Sequence, residues 1–232
     1  METLAPAQRR VMARWILCIH GIAAIAIGFI LVASAFGMSD LYRWTADVAA
    51  IPGARPYEGL LSNMGIIAWS SAFAVAFFTG VMTLTNGPRE VPRLLVGGGL
   101  VTFVLLVDDL FMLHDTLLPE YLGVPEEIAT ALVGLVALAF LWIFKQQIPR
   151  TPWPLLAIGV AYLAIMTVFD FLEKRVDIPA HQAWEEGAKL LGVLHWCGYL
   201  VLTSVTVLAG RLAARPGERL ASSGISGRGG GQ

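Results

Sequence analysis

The chain has 232 residues, of which 56% are hydrophobic and 14% charged, with a mean hydropathy of +0.69. Soluble domains carry about a quarter charged residues, so this composition excludes an ordinary water-soluble globule and identifies a protein that lives in a lipid bilayer. A formal net charge of −1 provides no field to recruit nucleic acid, and the placement of charge matters more than its sum.

Residues 1–14 are polar and basic, with Arg9, Arg10 and Arg14 ahead of an apolar run over 15–36. The Ala33-Ser34-Ala35 string also fits a signal-peptide cleavage site, but the run exceeds the ~7–15 residues of a signal core, so a retained spanning helix is expected. In the connecting segment 38–58, Leu41, Trp44, Val48 and Ile51 recur at helical spacing and predict a short helix in the membrane interface. Further spans are predicted near 59–85, 92–118, 127–145, 153–173 and 183–212, each close to or above the ~20 residues that cross the hydrocarbon core. The last is longer than a crossing needs, so its first turns should project into the interface. Residues 214–232, rich in Arg, Gly and Ser, read as a disordered tail. The expected fold is all-α: a polytopic membrane bundle of about six transmembrane helices in a single domain over 15–213.

Most of the Lys and Arg residues, among them Arg14, Arg89, Arg93, Lys145, Arg150 and Arg211, fall on one side of this topology, which puts both termini in the cytoplasm. The expected location is a bacterial inner membrane. Trp15, Trp142 and Trp153 then form an inner aromatic belt, with Trp44 and Trp184 at the outer face. The cysteines, Cys18 and Cys197, fall within apolar runs and read as buried thiols. Gly97-Gly98-Gly99 has no preceding strand and no lysine, which leaves close helix packing as its role.

The same topology gathers polar residues into one outward layer. Asp108, Asp109, His114 and Asp115 lie toward the end of the third span, Asp170 and Glu173 at the end of the fifth, and His181, Glu185, Glu186 and Lys189 at the start of the sixth. Acids at membrane depth cost ~2.5–3.5 kcal/mol each on insertion scales and mark functional sites by default. Asp109 and His114 point in different directions on a straight helix, so one ligand cannot use all four groups of the third span. His181, Glu185, Gly192 and His195 share a face of the sixth. Asp109, His181, Glu185 and His195 are the expected ligands of a divalent metal (Zn, Mn or Fe), with Asp108 and Glu186 as candidate bases. Such a site implies a hydrolase acting on a lipid-like or small-molecule substrate from the outer leaflet. The alternatives are a proton- or cation-coupled transporter using Asp108, Asp109 and Asp170, and a structural or sensory subunit.

Two strings, Val107-Asp108-Asp109-Leu110-Phe111 and Val168-Phe169-Asp170-Phe171-Leu172, are related, as are Glu126-Glu127-Ile128-Ala129 and Glu185-Glu186-Gly187-Ala188. Two hairpins are therefore candidates for parallel copies, each setting an Asp near a Glu pair. The mixture of outer-leaflet Asp and His resembles the CREST group of membrane hydrolases, and that resemblance implies zinc held near one membrane face. The chain departs from that pattern in having His181-x-x-x-Glu185 where the group has a His-x-x-x-His pair, and six spans rather than seven.

Overall fold

In a computed structural model the chain is all-helical among the described residues, which are 6–85, 87–173 and 181–225. Eight helices follow one another: α1 Pro6–Ala35, α2 Leu41–Thr45, α3 Leu60–Leu84, α4 Glu90–Phe111, α5 Leu118–Leu122, α6 Glu126–Ile143, α7 Trp153–Glu173 and α8 His181–Ile225. Six of them, all but α2 and α5, are long and apolar enough to cross a membrane. The chain is thus a helical bundle of integral-membrane type. Helix α8 continues to Ile225, beyond the point at which composition predicts an irregular tail.

The bundle is organised around α8, whose Val193, Trp196, Tyr199 and Leu200 are wholly buried among α3, α4 and α7. With no hydrophobic force between helices in lipid, close approach must come from small residues and buried hydrogen bonds. Both are present. A Cβ on Gly159 of α7 would lie 2.9 Å from the backbone nitrogen of Trp196, and one on Gly192 of α8 would lie 3.0 Å from that of Leu163. Gly97, Gly98 and Gly99 of α4 sit against Phe144, Leu200 and Phe77, each closer than a Cβ permits, as the sequence predicts. The indole of Trp196 donates to Thr102 at 2.9 Å, and Arg211 donates to the Thr83 carbonyl at 2.5 Å. A second core joins Ala23, Ala26 and Ile30 of α1 to Trp44, Leu61 and Leu190.

The connection after α1 differs from the single interfacial helix predicted. It folds as α2 followed by a 3₁₀ turn, Val48–Ala50, and is tied down by Glu58, which accepts from Arg43 at 2.6 and 2.7 Å, from Ser39 and from the Arg55 backbone. Gly59 ends it with φ +67, and a Cβ there would collide with the Val48 side chain, so only glycine fits. Trp44 is consequently buried between Phe29 and Tyr57 instead of lying in an outer belt. Cys18 is exposed on the outer surface of α1 rather than buried, whereas Cys197 is buried; both are free thiols.

The third predicted span also ends sooner than the apolar pattern suggests. Helix α4 stops at Phe111 because Met112 turns left-handed (φ 49, ψ 48), and Leu113–Leu117 follow as one π turn. Aspartate supplies the reason, since its side chain competes for backbone N–H groups: Asp108 accepts from the His114 backbone at 3.1 Å and from its ring at 2.8 Å.

Candidate functional site

The break in α4 separates the four polar groups of that segment into two sets. Asp108 and Asp115 grip the His114 ring from both sides, at 2.8 Å on Nδ1 and 2.9 Å on Nε2. Both partners are acceptors, so both ring nitrogens carry protons and His114 is an imidazolium. Burial pulls its pKa down, but the two carboxylates outweigh that and raise it to about 10. His114 and Asp115 lie beyond the apolar span, and Asp108 in its last turn closes the turn onto them.

Asp109 points the other way, into the bundle. Its Oδ1 lies 2.5 Å from Nζ of Lys189 on α8; Glu186 Oε1 is 3.7 Å and Asp47 Oδ2 3.8 Å from the same ammonium. Asp47 comes from the turn between α2 and the 3₁₀ segment, and it is oriented by the Ser62 hydroxyl of α3. The four side chains are only 8–14% exposed. Three carboxylates therefore surround one ammonium, and among the described residues Lys189 is the cation they share. The second oxygen of Asp109, Oδ2, is buried without a hydrogen-bond partner and faces Gly65, where a Cβ would stand 3.8 Å away. Surplus negative charge in a medium of low dielectric is expensive. A proton or a small cation relieves it, and the bare oxygen beside Gly65 is where one can be received.

A third polar group lies deeper. The spans containing His20, Tyr162 and His195 have centres near residues 22, 162 and 198, so the three meet at mid-depth. The His20 ring stands 5.0 Å from that of His195, and the Tyr162 ring 5.8 Å from His195.

Of the four residues expected to share a metal, Asp109 and His195 lie in different groups. Asp109 is engaged by Lys189, while His195 sits with His20 and Tyr162. Glu185 and His195 are ten residues apart on one helix, about 15 Å of rise, and bonds to a divalent metal of this kind are ~2 Å. Sharing a face does not supply sharing a depth. The face holding Gly192 and His195 packs against α7, and it is the neighbouring face, with Glu186 and Lys189, that meets Asp109. The side chains of His181 and Glu173, and the residues Lys174 and Arg175, lie outside the described residues. Glu185 and Asp170 are engaged in interactions of their own. Among the described residues no group of three or more His, Cys, Asp or Glu side chains is arranged to hold a metal ion. Sequence reasoning missed Asp47, whose position depends on how the connection folds; it placed Lys189 in the polar layer, but as a neighbour of Glu185 and Glu186 on its own helix rather than as the partner of Asp109.

The class this arrangement defines is a helical bundle with six helices long and apolar enough to cross a membrane and an ionisable cluster near one end of them. Within that class the chain belongs to the family described as a domain of unknown function, DUF8692, whose model matches residues 17–203. No curated protein and no solved structure matches it.

Proposed function

We propose that this chain is a membrane transport protein in which the Asp47–Asp109–Glu186–Lys189 cluster takes up and releases a proton or small cation, coupling that ion to passage of a solute. The basic residues orient it with both termini in the cytoplasm, in a bacterial inner membrane, and the cluster toward the outer leaflet. The single observation that carries the reading is the excess of buried carboxylates over ammonium, with Asp109 Oδ2 left unpartnered. Such a cluster is stable only when it holds a further positive charge, and its affinity for that charge changes with small movements of Lys189. This reading differs from the divalent-metal hydrolase expected from the sequence in giving the place beside Asp109 to the Lys189 ammonium.

Purified protein in liposomes with a trapped pH-sensitive dye tests it. Wild type should move protons or a monovalent cation down an imposed gradient, and Asp109→Asn should slow that movement at least about tenfold, in line with the effect of removing a positioned acid–base group. No movement of either ion by wild type under any gradient would reject the proposal.

A further inference from the structure

The polar group at mid-depth has no part in the cluster just described, and its hydrogen bonds fix its chemistry. His195 Nδ1 lies 2.8 Å from the Leu191 carbonyl and His20 Nδ1 lies 2.9 Å from the Ile16 carbonyl. A carbonyl only accepts, so both rings carry their proton on Nδ1 and, when neutral, present Nε2 as a bare lone pair. At His20 that lone pair receives the Tyr162 hydroxyl at 3.2 Å. At His195, which is 0% exposed, Nε2 is buried with no partner. An unmet acceptor in an apolar interior is costly unless something with a proton comes to it. Among the described residues the groups that face these rings are each other and Tyr162; no carboxylate, lysine or arginine pairs with them.

We infer that His195, Tyr162 and His20 form a second proton-binding site that carries protons from the Asp109–Lys189 cluster toward the cytoplasmic side. Lys189 and His195 are six residues apart, about 9 Å along α8, so the transfer between them runs through intervening water in this scheme. A proton reaching Nε2 of His195 makes it an imidazolium. It is then given through one water to the Tyr162 oxygen as the Tyr162 hydroxyl gives its own proton to Nε2 of His20. His195 and Tyr162 end neutral and His20 carries the charge, three side chains from three helices passing one proton with none consumed. The inference rests on the proton-coupled form of the proposed function and supplies the inward path that the outer cluster lacks.

The test is proton flux in the same liposomes for wild type, His195→Gln and Tyr162→Phe. His195 is fully buried, so Tyr162→Phe, which removes one hydroxyl from a partly exposed side chain, guards against a folding defect; circular dichroism and thermal unfolding confirm that each variant is intact. Both folded variants should lose at least about tenfold in flux, the scale of a single general acid–base group, while a protonated-carboxyl infrared band from the outer cluster persists. Wild-type flux with Tyr162→Phe undiminished would overturn the relay and leave the cluster reading standing. Wild-type liposomes that pass no protons would overturn both.

Discussion

His114 shows how far a single residue's role depends on backbone geometry. In sequence it is a histidine five positions from Asp109 with no evident partner; in the fold a left-handed Met112 swings it back onto Asp108. Its charged form is stabilised by folding, because the folded pKa, about 10, lies above the ordinary 6.5. That contribution is complete below pH 6.5, persists through neutrality and is lost as pH rises through about 10. His114→Gln should cost roughly 1–3 kcal/mol, between exposed and fully buried ion pairs, and thermal unfolding in detergent should show the difference from wild type shrinking above pH 10. Asp115→Asn should change little, since Asp115 is 41% exposed and an amide oxygen still accepts from the ring. Glu58 has the opposite sign. The hydrogen bonds from Arg43 lead in lowering it to about 2, against burial, so its contribution is present above pH 4.5 and disappears as pH falls through about 2. Glu58→Ala should release the 38–59 connection, measured as faster proteolysis there at neutral pH.

At the level of helices, periodicity and length read well and termini read poorly. The six apolar runs in the sequence correspond to the six long helices because hydropathy over ~20 residues is a property of the run itself. The end of α4 was not legible in this way: Leu113, Leu117 and Leu118 prolong the apolar pattern, whereas the break depends on Asp108 capturing the His114 N–H. The apparent repeat between hairpins is likewise recast. Asp109 meets Lys189 of the other hairpin, and Glu186 faces the same ammonium, so the two halves interlock. The glycines do the packing. Gly159→Ala would press a methyl onto the α8 backbone and should destabilise by about 1–3 kcal/mol. Gly134→Ala on α6 meets nothing within 4 Å and should be neutral or up to about 1 kcal/mol stabilising. Chemical unfolding of the two variants side by side is the measurement.

Over the whole molecule, polarity is arranged in two layers, one near an end of the bundle and one at its middle. The layer near the end of the bundle was legible in the sequence as acids kept in apolar runs, although its centre is Lys189 and not a pair of carboxylates. The middle layer was not, because His20, Tyr162 and His195 lie far apart in sequence and meet only where α1, α7 and α8 come together in the fold. Gly65→Ala separates charge from access: the methyl fits 3.8 Å from Asp109 Oδ2 and keeps every ionisable group. It should therefore leave thermal stability equal or higher while reducing ion uptake several-fold in liposomes. Unchanged uptake would mean that the bare oxygen is not the point of entry.

The position of Lys189 on the last helix bears on how the chain is made. Synthesis runs from the N-terminus, so Asp47, Ser62 and Asp109 are all in place before the residue that balances them exists. Until α8 emerges, these acids lack the ammonium they face in the finished fold, and α3, α4 and α7 lack the side chains that fill the space between them. Insertion of the final helix then supplies both the core and the counter-charge in one event, and a nascent chain halted before it exposes to the membrane's quality-control proteases the very carboxylates that the finished protein keeps hidden.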